Sequence, residues 1–412
     1  MRPTPPFSGR PLTALDIANA GGDAVARDQI TSLTGLFGQF PTPAILSKTI
    51  RQNTSINLFD FADFASMIAW IKARSVDGDF YISAFLPAGT LAIDQLIWDY
   101  EFGDRVKFFG QGSGSTTLVF DNTGNKSGIF CTRPLGFING LTVKGVGGLT
   151  ATRGVWLANS YGGGIVTQGS GARALVGSDV KVNSFYYGLL ADKGGSMFVS
   201  GGVEVALAGD VGFHAREGSY MLCANTKCLT ASDVGNGQTF GSGHNAELGS
   251  SMDCSGASAS DCQVAGVVTS GGSAVWAQGY YAANNVGNGA VSFGGYLHLG
   301  YNYVLAKQTQ LTGNQLGAAC YDGGHITMPH PSGKPMLVLA NRGDGLLASG
   351  VGSSIEGSNV AIENNGGYGA HADRTGLIHM FVAGYGTAAK ANTLGTGYVG
   401  GTTQQGAAIY LD

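Results

Sequence analysis

The sequence is short of charge. Lys and Arg number 23 and Asp and Glu 27, together 12% of 412 residues, with a net charge of -4. Nothing is basic enough for a nucleic-acid surface. No run of 18 apolar residues occurs, so no helix is expected to insert in a membrane. The first thirty residues hold no apolar segment of the secretory kind, which implies synthesis in a cytoplasm without a signal peptide. Cysteine is sparse at six, with no CxxC and no Cys/His spacing of zinc type, so no metal and no cofactor is expected and the thiols are expected to be free. Proline is confined: of 11 residues, Pro3, Pro5, Pro6, Pro11, Pro41 and Pro43 crowd the start. No Gly-x-Ser-x-Gly elbow stands between a strand and a helix, which excludes a serine esterase of that design.

Glycine is what the chain has in excess, 69 residues without a collagen period. A phrase accounts for many of them. GFHAREGSYMLC at 212 returns as GHNAELGSSMDC at 243. The frame is Gly, a small residue at +3, Gly near +6 and an apolar residue at +9. It starts at 188, 212, 243, 266, 289, 317, 345 and 369, giving spacings of 24, 31, 23, 23, 28, 28 and 24. A floor near 23 with extras is a coil of fixed circumference carrying loop insertions. Each phrase holds two short alternating runs about a Gly corner, and a third run such as VEVALA (203 to 208) often follows. Three strands and three corners in that length make one turn of a parallel β-helix.

Columns down the phrases say what faces inward. Position +3 reads Ala191, Ala215, Ala246, Thr269, Ser292, Cys320, Ala348, Ala372. Position +9 reads Met197, Met221, Met252, Val275, His298, Ile326, Ile355, Ile378. Small beside large in register is a packed interior. Asn and Gly recur before the phrases, in GNG at 235, NNVGNG at 284, GNQLG at 313 and NNGG at 364. These residues tolerate left-handed backbone, and stacked Asn side chains form a hydrogen-bonded ladder.

Residues 1–50 read as a separate segment that needs a partner, with a helical stretch between its prolines. A capping helix and the first coils occupy 51–127, with Phe64, Met67, Ile68 and Ile71 at helical spacing. Residues 128–412 are the body, continuing through GVWLAN at 154. About a dozen coils at ~4.8 Å make a rod of roughly 60 Å.

The helix FADFASMIAWIKA, then LPAGTLAI, then VKFFGQGSGSTTLVF, resembles the entry to the pectin-lyase-like superfamily of right-handed parallel β-helices. The pattern G-x-x-A-x-x-G-S-x-M, at Gly212–Met221 and Gly243–Met252, resembles the coils of bacteriophage tailspike and tail-fibre proteins in that superfamily. The resemblance spans about 60 to 390. It implies an all-β homotrimer, attached to other tail proteins of a virion through residues 1–50, that binds a host surface polysaccharide, capsule or lipopolysaccharide, and in many members cleaves it. The C-terminal trimerisation or carbohydrate-binding module that many tailspikes add is not expected here, and the calcium and arginine patterns of pectate lyases are missing.

Two chemistries stay open at the surface. Hydrolysis needs two carboxylates, about 5–5.5 Å apart for retention or 6.5–9.5 Å for inversion. Position +4 reads Asp192, Arg216, Glu247, which puts two acids two coils apart with Arg216 between; Glu217 and Asp253 are neighbours. The plainer reading is a solvated ion ladder. A lyase would use a base such as His214 or His244, or a tyrosine, with Arg216 against a uronate. The sequence leaves open which histidine points inward. Position +10 (Phe198, Leu222, Asp253, Trp276) faces out, toward a trimer axis or a sugar platform joined by Tyr280 and Tyr281. The insertion at 224–242 is the expected groove-shaping loop. An adhesin, a depolymerase (a hydrolase before a lyase) and a structural spacer in the virion or baseplate are the three functions this leaves.

Overall fold

The computed structural model describes residues 48–123, 126–146, 162–231, 241–381, 392–399 and 407–411. The proline-rich start with its helical stretch, GVWLAN at 154, GNG at 235 and residues 232–240 of the 224–242 insertion lie outside those residues. The described chain forms two compact units. One runs to Pro87 and includes Arg105–Lys107; the other comprises Ala88–Asp104 and Phe108 onward.

In the first unit the expected helix spans Phe64–Lys72. Asp63 caps it, its carboxylate accepting from the Ser66 amide at 2.7 Å. Met67, Ile68 and Ile71 form its buried stripe. Thr54–Asn57 pairs in parallel with Ile82–Phe85.

The second unit is an all-β parallel solenoid of about a dozen turns. One turn shows the plan: Ser196–Val199 on a first face, Glu204–Ala206 on a second, Val211–Arg216 on a third. Among the described residues the second and third faces hold 11 and 12 strands, ordered by steps of three in the chain except at the last rung of the third face. Every strand pair among the described residues is parallel, so each strand meets its counterpart one turn later. No described helix is long and apolar enough to cross a membrane.

The +3 column stacks in register from Ala191 to Ala372 inside the third face, as the phrases require. The +9 column does so on the first face with one correction. Val275 is followed by Leu297, not His298. The corner Gly294–Gly295 is one residue shorter than Gly271–Ser273, so counting from the phrase start overshoots by one. Leu297 is buried and His298 points outward.

The asparagines divide their work. Asn285, Asn314, Asn341, Asn365 and Asn392 are buried and stack, each amide donating to the next side-chain carbonyl at 2.8 to 3.2 Å. Asn284 and Asn364, one residue earlier, are exposed and hold the left-handed corner at φ 56° and 57°. All six cysteines are buried free thiols.

His244 is the inward histidine. It stacks flat on Phe213 (4.7 Å, 2°) and bonds Tyr280 Oη at 2.8 Å and Thr226 Oγ1 at 3.1 Å. Those hydroxyls also face the carbonyls of Gly266 and Cys223. A neutral imidazole has one N–H, so one hydroxyl turns its proton to the ring. Burial pushes His244 down to about 3. An unfolded histidine titrates near 6.5, so below that pH the unfolded chain binds more protons than the folded one. The contribution of His244 is therefore complete above pH ~6.5 and is lost as pH falls toward about 3, by roughly 1 kcal/mol per pH unit. H244F should flatten the fall of the urea midpoint between about pH 6 and 4; an unchanged slope would place the titration elsewhere.

Candidate functional site

Parity places the candidate residues. In Tyr187–Asp192, Val211–Arg216 and Ser242–Glu247 the alanines face inward, so Asp192, Arg216 and Glu247 face outward from the third face. Gln168 heads the same column, in register with Asp192.

These charges are not a solvated ladder. Asp192 has no exposed surface and Arg216 is 4% exposed. Arg216 Nε donates to Asp192 Oδ1 at 3.0 Å, and Gln168 Nε2 to Oδ2 at 2.9 Å. Burial lowers Arg216, but the hydrogen bond and charge of Asp192 outweigh it and leave the guanidinium above its ordinary value. Glu247 keeps about a fifth of its side chain exposed. Its Oε1 lies 3.2 Å from His214 Nε2, out of hydrogen-bond alignment. Glu217 is an exposed left-handed corner residue (φ 55°), 3.9 Å from Arg216 Nε.

Tyr187 and Asn245 join this cluster and carry no signal in the phrase. The Tyr187 ring is 5.1 Å from that of His214. The Tyr187 hydroxyl, both His214 ring nitrogens and Asn245 Oδ1 are buried without a hydrogen-bond partner. Burial, then the charge of Asp210, pushes the Tyr187 phenol well up, with Arg216 opposing. Extending the +4 column upward finds Gln168; nothing in the sequence singles out Tyr187 or Asp210. A buried polar atom without a protein partner calls for an explanation, such as a bound water, an ion or a catalytic role. Asp192 cannot reach an external polymer from this position, whereas Glu247 can.

Asp253 lies apart, on the first face, where its Oδ1 accepts from the Ser255 amide at 3.0 Å. It belongs to the outward column Leu222, Asp253, Trp276, His298, Thr327, Glu356. Trp276 is 41% exposed. Beside it Tyr296 stacks on His325 (5.5 Å, 20°). Tyr296 Oη and His298 Nδ1 converge on Thr327 Oγ1 at 3.0 and 2.8 Å, and burial lowers His298. The result is a strip of rings, imidazoles and hydroxyls flanked by two carboxylates. Tyr280 does not line it: the residue is wholly buried and donates to the Gly266 carbonyl at 2.8 Å. Among the described residues no three His, Cys, Asp or Glu side chains gather as a metal site.

No protein-family model matches this chain, and no curated protein sequence does. Solved structures do. The fold is similar to a catalytic domain of GH87 alpha-1,3-glucanase in complex with tetrasaccharides, at TM-score 0.50 and 13% identity over 87% of this chain and 68% of that one. A catalytic domain of GH87 alpha-1,3-glucanase in complex with nigerose aligns at TM-score 0.47 and 10% identity, over 87% and 67%. At such identity the likeness is one of fold: the chain is a parallel β-solenoid, which the pectin-lyase-like resemblance fits.

Proposed function

We propose that this chain recognises a surface polysaccharide along the outer strip of its first face, as the receptor-binding tailspike of a bacteriophage. The strip carries the reading. Trp276 offers a broad apolar face of the kind that stacks on sugar rings. Tyr296, His298, His325 and Thr327 place donors and acceptors beside it, and Asp253 and Glu356 bracket the run. The similar alpha-1,3-glucanase fold is described with tetrasaccharides, which supports an oligosaccharide on a solenoid of this kind. In this reading the chain is a homotrimer in the virion tail, held to other tail proteins through residues 1–50.

A second reading, depolymerisation, is favoured by the polar atoms buried beside Glu247 without partners. Glu247 would be the acid that meets the polymer, with His214 and Tyr187 behind it.

The test uses the full chain, sized in solution, with capsular polysaccharide and lipopolysaccharide of the host. A trimer is expected, and Trp276→Ala should weaken binding about tenfold, the value of roughly 1.4 kcal/mol of ring contact. Leu207→Ala, exposed at the corner after Glu204–Ala206, should leave it unchanged. Equal binding by Trp276→Ala removes the strip from the reading, and no binding by the parent leaves only the spacer. Shortening of the polymer that Glu247→Gln abolishes would establish the second reading; shortening that survives would move the chemistry elsewhere.

A further inference from the structure

The second face carries a groove of about 460 Å³ that shares no residue with the strip or the charge cluster. Its floor is one outward column, Lys227, Ser258, Tyr281, Gln310, in register over four turns. Its wall is the loop that makes the 289-to-317 spacing one of the long ones. That loop is built, not loose. Asn302 and Lys307 exchange backbone bonds at 3.0 and 3.1 Å, and Asn302 Oδ1 accepts from the Leu305 amide at 2.9 Å.

Two glycines let the wall stand this close. Gly256 and Gly279 turn their corners at φ 71° and 66°. A Cβ on Gly279 would lie 2.8 Å from Asn302 Cβ and 2.9 Å from Lys307 Cβ; one on Gly256 would lie 2.7 Å from Leu305 Cδ1. Both sites favour glycine for backbone angle, and Gly279 for room as well, since its neighbours are Cβ atoms.

The lining chemistry is specific. Tyr281, 44% exposed, presents a ring face. Asn225, Gln308 and Gln310 bring amides, which donate and accept as sugar hydroxyls do. Lys227 and Lys307 are both exposed and both line the groove, and among the described residues no Asp or Glu lines it. The acid one rung before Lys227, Glu204, lies 3.7 Å from Lys181. Two cations thus line a cavity without acids among the described residues, in a chain of net charge -4. The volume falls within the range of small-ligand sites, about 300–1,000 Å³.

We infer that this groove is a subsite for an anionic sugar of a surface glycan. Tyr281 lies against the pyranose ring, the amides meet its hydroxyls, and Lys227 and Lys307 hold its acid group. The inference rests on the reading of the chain as a glycan binder and adds the class of sugar. Ammonium groups pair with carboxylate and sulfate alike, so the test separates those sources.

The experiment is an array of neutral, uronate-bearing, sialylated and sulfated oligosaccharides probed with the full chain, then calorimetry on the strongest ligand. Acidic glycans should bind preferentially, more weakly at higher salt because exposed charges are screened. The double variant Lys227→Met/Lys307→Met should lose at least about tenfold in affinity while keeping the parent melting temperature, both lysines being exposed. The carboxylated and sulfated arms identify the acid. Retention of the acidic signal by the double variant would overturn the proposal. Binding of neutral glycans alone, removed by Trp276→Ala, would overturn the groove and leave the strip. No binding to any glycan would overturn both.

Discussion

Arg216→Met should destabilise the fold by about 3–5 kcal/mol, read as a large fall in the urea midpoint. The physical reason is Asp192. It has no exposed surface, and its two partners are Arg216 at 3.0 Å and Gln168 at 2.9 Å. Removing the guanidinium leaves a carboxylate in a low-dielectric site with one neutral donor. The double variant Asp192→Leu/Arg216→Met should recover most of the loss, because the costly state is the lone charge and not the missing pair. A single variant with the parent midpoint would mean that water screens the pair. Because the outcome is read as stability, it stands whether the cluster cleaves a polymer or only holds three turns together.

Asn341→Ala is expected to cost about 3 kcal/mol, most of a typical margin for one structural defect. Asn341 is a link in the ladder. Its amide donates to the Leu311 carbonyl at 3.1 Å and to Asn365 Oδ1 at 2.9 Å. Its own Oδ1 accepts from the Asn314 backbone at 3.1 Å and side chain at 3.2 Å. Alanine leaves donors and acceptors of the two neighbouring turns buried and unmet, each costing about 1–3 kcal/mol before relaxation. Asn364→Gly is the control. Asn364 is exposed and left-handed (φ 57°), a conformation glycine adopts freely, so the change should fall within about 0.5 kcal/mol. Equal midpoints for the two variants would remove the ladder as a source of stability. Turns of a solenoid contact only their neighbours, so hydrogen exchange should rise locally, between Asn314 and Asn365, before the rest opens.

Much of the fold was legible because a solenoid repeats its physics. A fixed circumference wrote a spacing near 23 into the chain, and a packed interior wrote small and large columns at +3 and +9. The Asn-rich corners were legible too, but their division of labour was not. In NNVG and NNGG the first Asn turns the backbone and the second joins the ladder; residue type is the same, and only position on the coil separates the roles. The candidate site was legible as a column, Asp192, Arg216, Glu247. Its burial was not, and neither was the pairing with Gln168 or the approach of Tyr187.

The sequence by itself determined the parallel coil, its period, the helix at 64 to 72 and the side of each strand that carries alanine, because these follow from local alternation and corner residues. Tertiary structure decided the rest, where a choice depends on neighbours distant in the chain. His214 and His244 stand in equivalent phrases among apolar residues on both sides; stacking on Phe213 and bonding to Tyr280, one turn on, hold His244 inside. Leu297 rather than His298 entered the core because a corner lost one residue, which shifts parity without altering composition. The lysine groove exists because the loop Asn302–Lys307 folds back onto Gly256 and Gly279. A spacing of 28 announces extra residues; only packing says where they lie.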